Sequence, residues 1–184
     1  MSNTSLKHHF LLAMPQLDDP YFGHSLCYIC EHSEQGAMGL VLNKPIGMSL
    51  SQVFSELGME GQRHGEEPVI QGGPVNPEQG FILYQDDEPW EQSMHVGDRT
   101  YLTTSKDMLE AIADGRSPDN VIVCLGYAGW SAGQLEEELA NNSWLTIEAD
   151  EKIIFNTKAE QQVKAAADKL GIDINLMTSD SGHA

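Results

Sequence analysis

The sequence predicts a mixed α/β fold, with a mixed sheet and about four helices, and three observations carry that reading. Short β-branched runs bounded by turn residues recur along the chain, and amphipathic segments with helix start and stop signals fall between some of them. Their order places some strands next to one another and others across a helix, which predicts a mixed sheet and not a doubly wound parallel one. At 184 residues and 40% apolar content, the chain has the length of one domain, 1–184, with a real core.

In order, residues 10–14 read as a strand, 14–23 as a long turn, 25–31 and 37–42 as two further strands, with 33–36 as a hairpin connection. Ser49 and Gln52 form a capping box that opens a helix with Leu50, Val53, Phe54 and Leu57 on its inner face, and Gly58 closes it. Val69 and Ile70 lead into Gln71-Gly72-Gly73-Pro74-Val75, read as a turn, before a strand at 81–84 that residues 86–89 break. Residues 100–103 form a short strand ahead of a helix at 105–114, with Met108, Leu109 and Ile112 inward and Gly115 as its stop.

The densest stretch is 126–145. The apolar run 121–125 reads as a strand buried on both faces, followed by a tight glycine turn at Gly126. Ser131 with Gln134 forms a second capping box, and Trp130 with Leu135 a hydrophobic staple, so a helix starts here. Glu136, Glu137 and Glu138 sit near its positive end, and Asn141-Asn142 ends it. Residues 144–147 and 152–155 then read as strands, and Thr157 with Glu160 caps a last helix carrying Val163, Ala167 and Leu170. Ile172, Ile174 and Leu176 alternate as one more strand.

Charge narrows the function classes. Ten Lys and Arg face 28 Asp and Glu, a net charge of -18, and no two basic residues are adjacent. Duplex nucleic acid is bound by clustered cations that displace its counterions, so direct nucleic-acid binding is not expected, nor is attraction to an anionic membrane. No apolar run approaches the roughly 18 residues of a membrane-spanning helix, and 10–14 is too short for a signal sequence. Three cysteines do not suggest a disulfide framework, and a reducing cytoplasm fits them best.

Several motifs invite chemistry. Gly129-Trp130-Ser131-Ala132-Gly133 matches the G-x-S-x-G nucleophile elbow between a strand and a helix. A serine hydrolase would need His183 or His32 to reach Ser131, with Asp150, Asp168 or Asp173 as the acid; helix capping is the simpler role for Ser131. A glycine turn entering a helix can hold an anion, but no lysine follows and three glutamates do. Cys27-Tyr28-Ile29-Cys30 matches C-x-x-C within a strand, where residues three apart face opposite ways, so core packing is expected for both thiols and for Cys124. His8-His9 lacks a ligand partner at metal spacing and reads as polar lead-in, and Glu31-His32 diverge on a strand. Neither metal nor cofactor is expected.

With no complete catalytic set, the favoured reading is a non-enzymatic regulatory binding protein for a protein partner or a small neutral ligand. Its expected groove lies at Tyr127, Trp130 and Gln134, with Gly72, Gly73, Pro74 and Asn43 nearby.

The blocks His9-Phe10-Leu11-Leu12-Ala13-Met14-Pro15, Asp19-Pro20-Tyr21-Phe22, Tyr28-Ile29-Cys30-Glu31-His32, Gly36-Ala37-Met38-Gly39, Asn43-Lys44-Pro45, Gly72-Gly73-Pro74, Gly80-Phe81-Ile82-Leu83, Gly126-Tyr127-Ala128, Gly133-Gln134-Leu135-Glu136 and Gly182-His183-Ala184 together resemble the YqgE/AlgH family of bacterial proteins. The resemblance runs nearly end to end. It implies a compact cytosolic α/β protein whose bifurcated sheet closes into a pseudo-barrel, and a link to transcriptional regulation through alginate production. It implies no activity and no agreed site residue. The matching Gly182-His183-Ala184 suggests a tail that docks on the fold.

Overall fold

The computed structural model describes residues 5–17, 19–60 and 64–173. Among these, ten strands join in one curled sheet that forms a half-barrel. The strands are β1 (His9–Ala13), β2 (Leu26–Ser33), β3 (Gly36–Val41), β4 (Pro45–Ser49), β5 (Pro68–Gln71), β6 (Val75–Gln85), β7 (Ser93–Gly97), β8 (Thr100–Thr103), β9 (Asn120–Ser131) and β10 (Trp144–Glu148). Five helices accompany them: α1 (Leu50–Glu56), α2 (Lys106–Asp114), α3 (Gln134–Ala140), α4 (Glu151–Phe155) and α5 (Ala159–Lys169). The order across the sheet is β10-β1-β2-β3-β9-β6-β8-β7, with β4 and β5 branching from β9.

Strand alternation divides the core in three. Phe10, Leu12, Tyr28, Cys30 and Leu40 face the inside of the half-barrel, which Ile153 and Ile154 of α4 and Ala166 and Ala167 of α5 plug at one end. The small alanines let α5 lie close to the strands. Outside, Leu50 and Phe54 of α1 and Met108 and Ile112 of α2 pack on Ile82, Tyr84 and Val123. On the other outer face, Leu135 of α3 meets Leu11, Cys27, Ile29, Trp130 and Trp144. Cys27 and Cys30 therefore sit on opposite faces, as the strand period requires, and all three cysteines are buried and free.

Most elements fall where the sequence places them, and local chemistry explains why. Ser49 and Gln52 make their capping box, Ser105 Oγ accepts from the Asp107 N–H, and Gly115 ends α2 at φ 77°. Only the two residues between Ser33 and Gly36 connect β2 to β3.

Several expectations need correction. Residues 152–155 are not a strand but part of α4, because Asp150 caps it by accepting from the Lys152 N–H at 2.9 Å; a short apolar run alone does not separate the two states. Thr157 does not cap α5: its hydroxyl donates to the Lys152 carbonyl, and Lys158 holds the cap position. Leu57 and Leu170, expected inward, are 52% and 43% exposed. β4 and β7 were not foreseen, and β6 begins at Val75 instead of near 81. The expected last strand through Ile174 and Leu176, and the docked Gly182-His183-Ala184 tail, lie outside the described residues.

The expected turn at Gly126 is also absent, since β9 runs through it to Ser131. Gly126 instead marks where the sheet forks. Before it, β9 pairs in parallel with β5 through Cys124 and Leu125; after it, β9 pairs antiparallel with β3 from Ala128 to Ser131. On its other edge β9 pairs with β6 from Asn120 to Leu125 and, past a register shift, at Tyr127.

Candidate functional site

The fork is made by backbone against backbone. Gly72 donates its N–H to the Leu125 carbonyl and accepts from the Val41 N–H, both at 2.8 Å, so it is wedged between β9 and β3. A Cβ on Gly73 would lie 2.1 Å from the Tyr127 carbonyl carbon, and one on Gly126 would lie 2.4 Å from the Gly73 oxygen. These glycines allow two segments of the chain to cross in contact. Asn43 is likewise a latch: its amide oxygen accepts from the Leu26 N–H and its NH2 donates to the His24 carbonyl. Pro74 is exposed beside the fork.

Beyond the fork the two halves of the sheet separate and leave a cleft of about 900 Å³. Met38 of β3, Phe81 of β6, Met94 of β7, Leu102 of β8 and Tyr127 of β9 supply its apolar surface. Tyr127 stands with its ring edge-on to Phe81 at 5.5 Å. Ser33, Gln35, Gln92, Thr103 and Thr104 supply hydroxyl and amide groups, and Glu31 is the one charged residue among the described residues that line it. This arrangement can hold an amphipathic molecule or segment; it offers no cationic group for an anion.

Of the residues expected in a groove, the cleft receives Tyr127 and the backbone side of Trp130. Three positions apart on β9, their rings face opposite ways. The Trp130 ring packs with Phe22 and Trp144 on the outer face, centroids 6.3 and 6.2 Å away. Its indole N–H donates to Glu138 Oε1 at 3.0 Å, and the Trp144 indole donates to the same oxygen at 2.9 Å. Gln134 is exposed at the start of α3 and donates to Glu138 Oε2. Gln134, Asn43, Gly72, Gly73 and Pro74 do not line the cleft. The sequence reading missed Met38, Phe81, Met94 and Leu102; the alternation of Met94 and Val96 with Ser93 and His95 was the available signal.

The serine-elbow geometry is not met. Ser131 ends β9 opposite Gly36 and is not among the residues with positive φ, whereas a nucleophile elbow sits on a strained turn. Its hydroxyl and N–H both donate to Gln134 Oε1, at 3.3 and 3.0 Å, and the αL cap of α3 is Gly133, not Ser131. Nor is His32 free to act as its base. His32 Nδ1 accepts from the Leu6 N–H at 2.8 Å, so Nε2 carries the proton and donates to Glu136 Oε1 at 2.6 Å. That bond holds the Glu136 carboxyl below its usual value. His183 lies outside the described residues. Burial pushes the Cys27 and Cys124 thiols up to about 12, and Cys30 also up, which leaves none a ready nucleophile. Among the described residues, no group of three or more His, Cys, Asp and Glu could hold a metal ion.

His8 has a role that polar lead-in does not describe. Its Nδ1 is 2.6 Å from the Tyr28 hydroxyl and its Nε2 is 3.1 Å from Asp98 Oδ2. A carboxylate only accepts, so Nε2–H donates to it and Nδ1 accepts from the buried Tyr28, whose own pKa burial raises. A Cβ on Gly97 would lie 2.2 Å from the His8 ring. His8 thus bolts β1 and β2 to the β7–β8 hairpin. Glu151 reinforces this seam by accepting from the Arg99 N–H and the Thr100 hydroxyl. Past the bolt, β2 and β7 line opposite walls of the cleft.

Comparison with known proteins places this architecture among relatives. Residues 10–175 match the model of a family described as AlgH-like. A UPF0301 protein from Chromohalobacter salexigens is 51% identical, covering 98% of this chain and 99% of that protein. One from Chromobacterium violaceum is 48% identical over 100% of both chains. The solution structure of the AlgH protein from Pseudomonas aeruginosa is similar at TM-score 0.81 and 43% identity, covering 100% of this chain and 98% of that one. A crystal structure of a Corynebacterium diphtheriae protein shares the fold at TM-score 0.74 and 18% identity, covering 96% and 93%. Among the described residues, no helix is long and apolar enough to cross a membrane.

Proposed function

This chain belongs to the AlgH-like family, and from that premise we propose that it is a regulatory binding protein, not an enzyme. It engages a protein partner or a small neutral ligand, and any effect on transcription passes through that partner. The cleft carries this reading: an apolar floor with scattered hydroxyl and amide groups, one carboxylate and no basic residue is a recognition surface in which no nucleophile–base pair is assembled. The net charge of -18 supports an indirect route to transcription, since duplex DNA would be repelled at low salt. Three buried, free thiols support a reducing compartment such as the cytoplasm.

The test is a pull-down with the tagged full chain from nuclease-treated lysate at moderate salt, read by mass spectrometry for proteins and small molecules. A Met38→Asp, Met94→Asp variant, shown folded by circular dichroism, serves as control. A species retained by the parent and lost from the variant supports the reading. Retention by both places binding elsewhere, and tight salt-resistant capture of duplex DNA by the purified chain contradicts the reading.

A further inference from the structure

We infer that the cleft receives an extended, basic segment of a partner protein, which adds as a strand to the free edge of β7. The inference rests on the binding-protein reading above and gives the partner a chemistry. Among the described residues, the sheet ends at β7, which pairs only with β8. Alternate N–H and C=O groups of a strand point to opposite sides, so one set on β7 points away from β8. Among the described residues, no hydrogen bond is made on that side. An unpaired edge is a template for another extended chain unless it is covered, bulged or charged. Here one end is protected, by the His8 ring on Gly97 and the irregularity between His95 and Gly97. The other end, Ser93 and Met94, opens on the cleft.

The cleft fits what such a segment would bring. Met94 and Val96 alternate toward the interior, beside Phe81, Leu102 and Tyr127. A strand docked along β7 would place every second side chain against this floor, which is how strand addition gains specificity. Flexible Met38 and Met94 can repack around different apolar side chains. The side chains between them would turn to the outer face, where Asp86, Asp87, Glu88 and Glu91 line the hollow beside Thr103, the partner of Ser93. Charge complementarity therefore assigns Lys and Arg to the alternate positions. A small neutral ligand would use the floor but leave the β7 edge unpaired.

A phage-displayed library of random nine-residue peptides, selected on the immobilised full chain at low salt, supplies the probes. Selected peptides are then synthesised and bound to the 15N-labelled full chain. Expected are sequences alternating Lys or Arg with apolar residues, and slowing of exchange by about tenfold or more at alternate amides of β7. Methylating the peptide backbone nitrogens that face β7 should weaken binding by about tenfold or more, while methylating the opposite set should not. Failure to select peptides, selection of acidic ones, or protection away from β7 overturns the inference. A neutral-fragment screen on the same labelled chain separates the two claims: fragments that shift Met38, Met94 and Tyr127 without any peptide protecting β7 keep the cleft as a binding site and remove strand addition. If neither fragments nor peptides touch the cleft, both claims fall.

Discussion

Replacing Gly73 with alanine tests the fork directly. The added methyl would stand 2.1 Å from the Tyr127 carbonyl carbon, 2.2 Å from its oxygen and 2.3 Å from the Ala128 nitrogen. Carbon contacts settle at about 3.5–4.0 Å, so the two segments must part by roughly 1.5 Å. None of the three atoms is a side-chain end that can swing away. The neighbouring Gly72 is held from both sides, by its bonds to Leu125 and Val41. Overpacking costs about 1–3 kcal/mol, and weakening those two backbone bonds adds about 1 kcal/mol each. A loss of about 4 kcal/mol in a chain of 184 residues corresponds to a Tm lower by roughly 8–16 °C. Gly80→Ala is the matched control: it lies in β6, has no positive φ and no atom within 4 Å of the new methyl, so its effect should stay within about 1 kcal/mol. Thermal melts followed by circular dichroism decide. A Gly73→Ala melt within about 2 °C of the parent, or equal damage from both substitutions, would refute the close-packed crossing.

Glu138→Gln should cost about 1–3 kcal/mol in urea titrations and red-shift tryptophan fluorescence, because an amide cannot accept from the Trp130 and Trp144 indoles and also from the Gln134 NH2. Burial makes the three thiols poor nucleophiles, so a thiol reagent should find none in the native protein at pH 8 and all three in urea; rapid native labelling would show that the strands open. The His32 hydrogen bond lowers the folded pKa of Glu136 below 4.5. Its contribution to stability is therefore complete above the ordinary carboxylate range and lost as pH falls through the lowered value, so Glu136→Gln should flatten that part of the acid limb in urea midpoints measured against pH. Glu136 is half exposed and the pair is screened from that side, so the change should be small.

How much of this could be read from the sequence depended on the range of the interactions involved. β8 and α2 were legible because period and caps are local: Ser105, Met108, Ile112 and Gly115 state that helix without reference to the rest of the chain. α4 was misread because Ile153 and Ile154 satisfy both periods, and only the Asp150 cap decides. Tyr127 lines the cleft while the Trp130 ring lies in the outer cluster with Leu135, because β9 runs on past Gly126 to Ser131. Read locally, Gly72, Gly73 and Gly126 signal turns. Their true cause is contact between segments some 50 residues apart, which no local window contains. β7 was passed over after residues 86–89, since five residues with two apolar positions carry little signal by themselves.

The same fork decides which end of the half-barrel is open to solvent. β9 serves two sets of strands in succession, and its twelve residues pass from a region enclosed by β5 and β6 to one flanked by β3. At the first end the interior is filled by Ile153, Ile154, Ala166 and Ala167, where removing a large side chain would leave a cavity costing about 2–5 kcal/mol. At the far end, no helix of the described residues enters between the β2–β3 and β7–β8 hairpins, and the polar and apolar groups there meet solvent. Folding is thus secured at one end, and under the proposed binding reading the other can be altered with little loss of stability. On this division of labour, changing Glu31, Gln35 or Gln92 should alter binding specificity and leave the melting temperature within about 2 °C, because surface substitutions outside the core cost about 0.5 kcal/mol or less. A large destabilisation from any of the three would mean that the rim helps hold the half-barrel together, and the separation of the two ends would have to be abandoned.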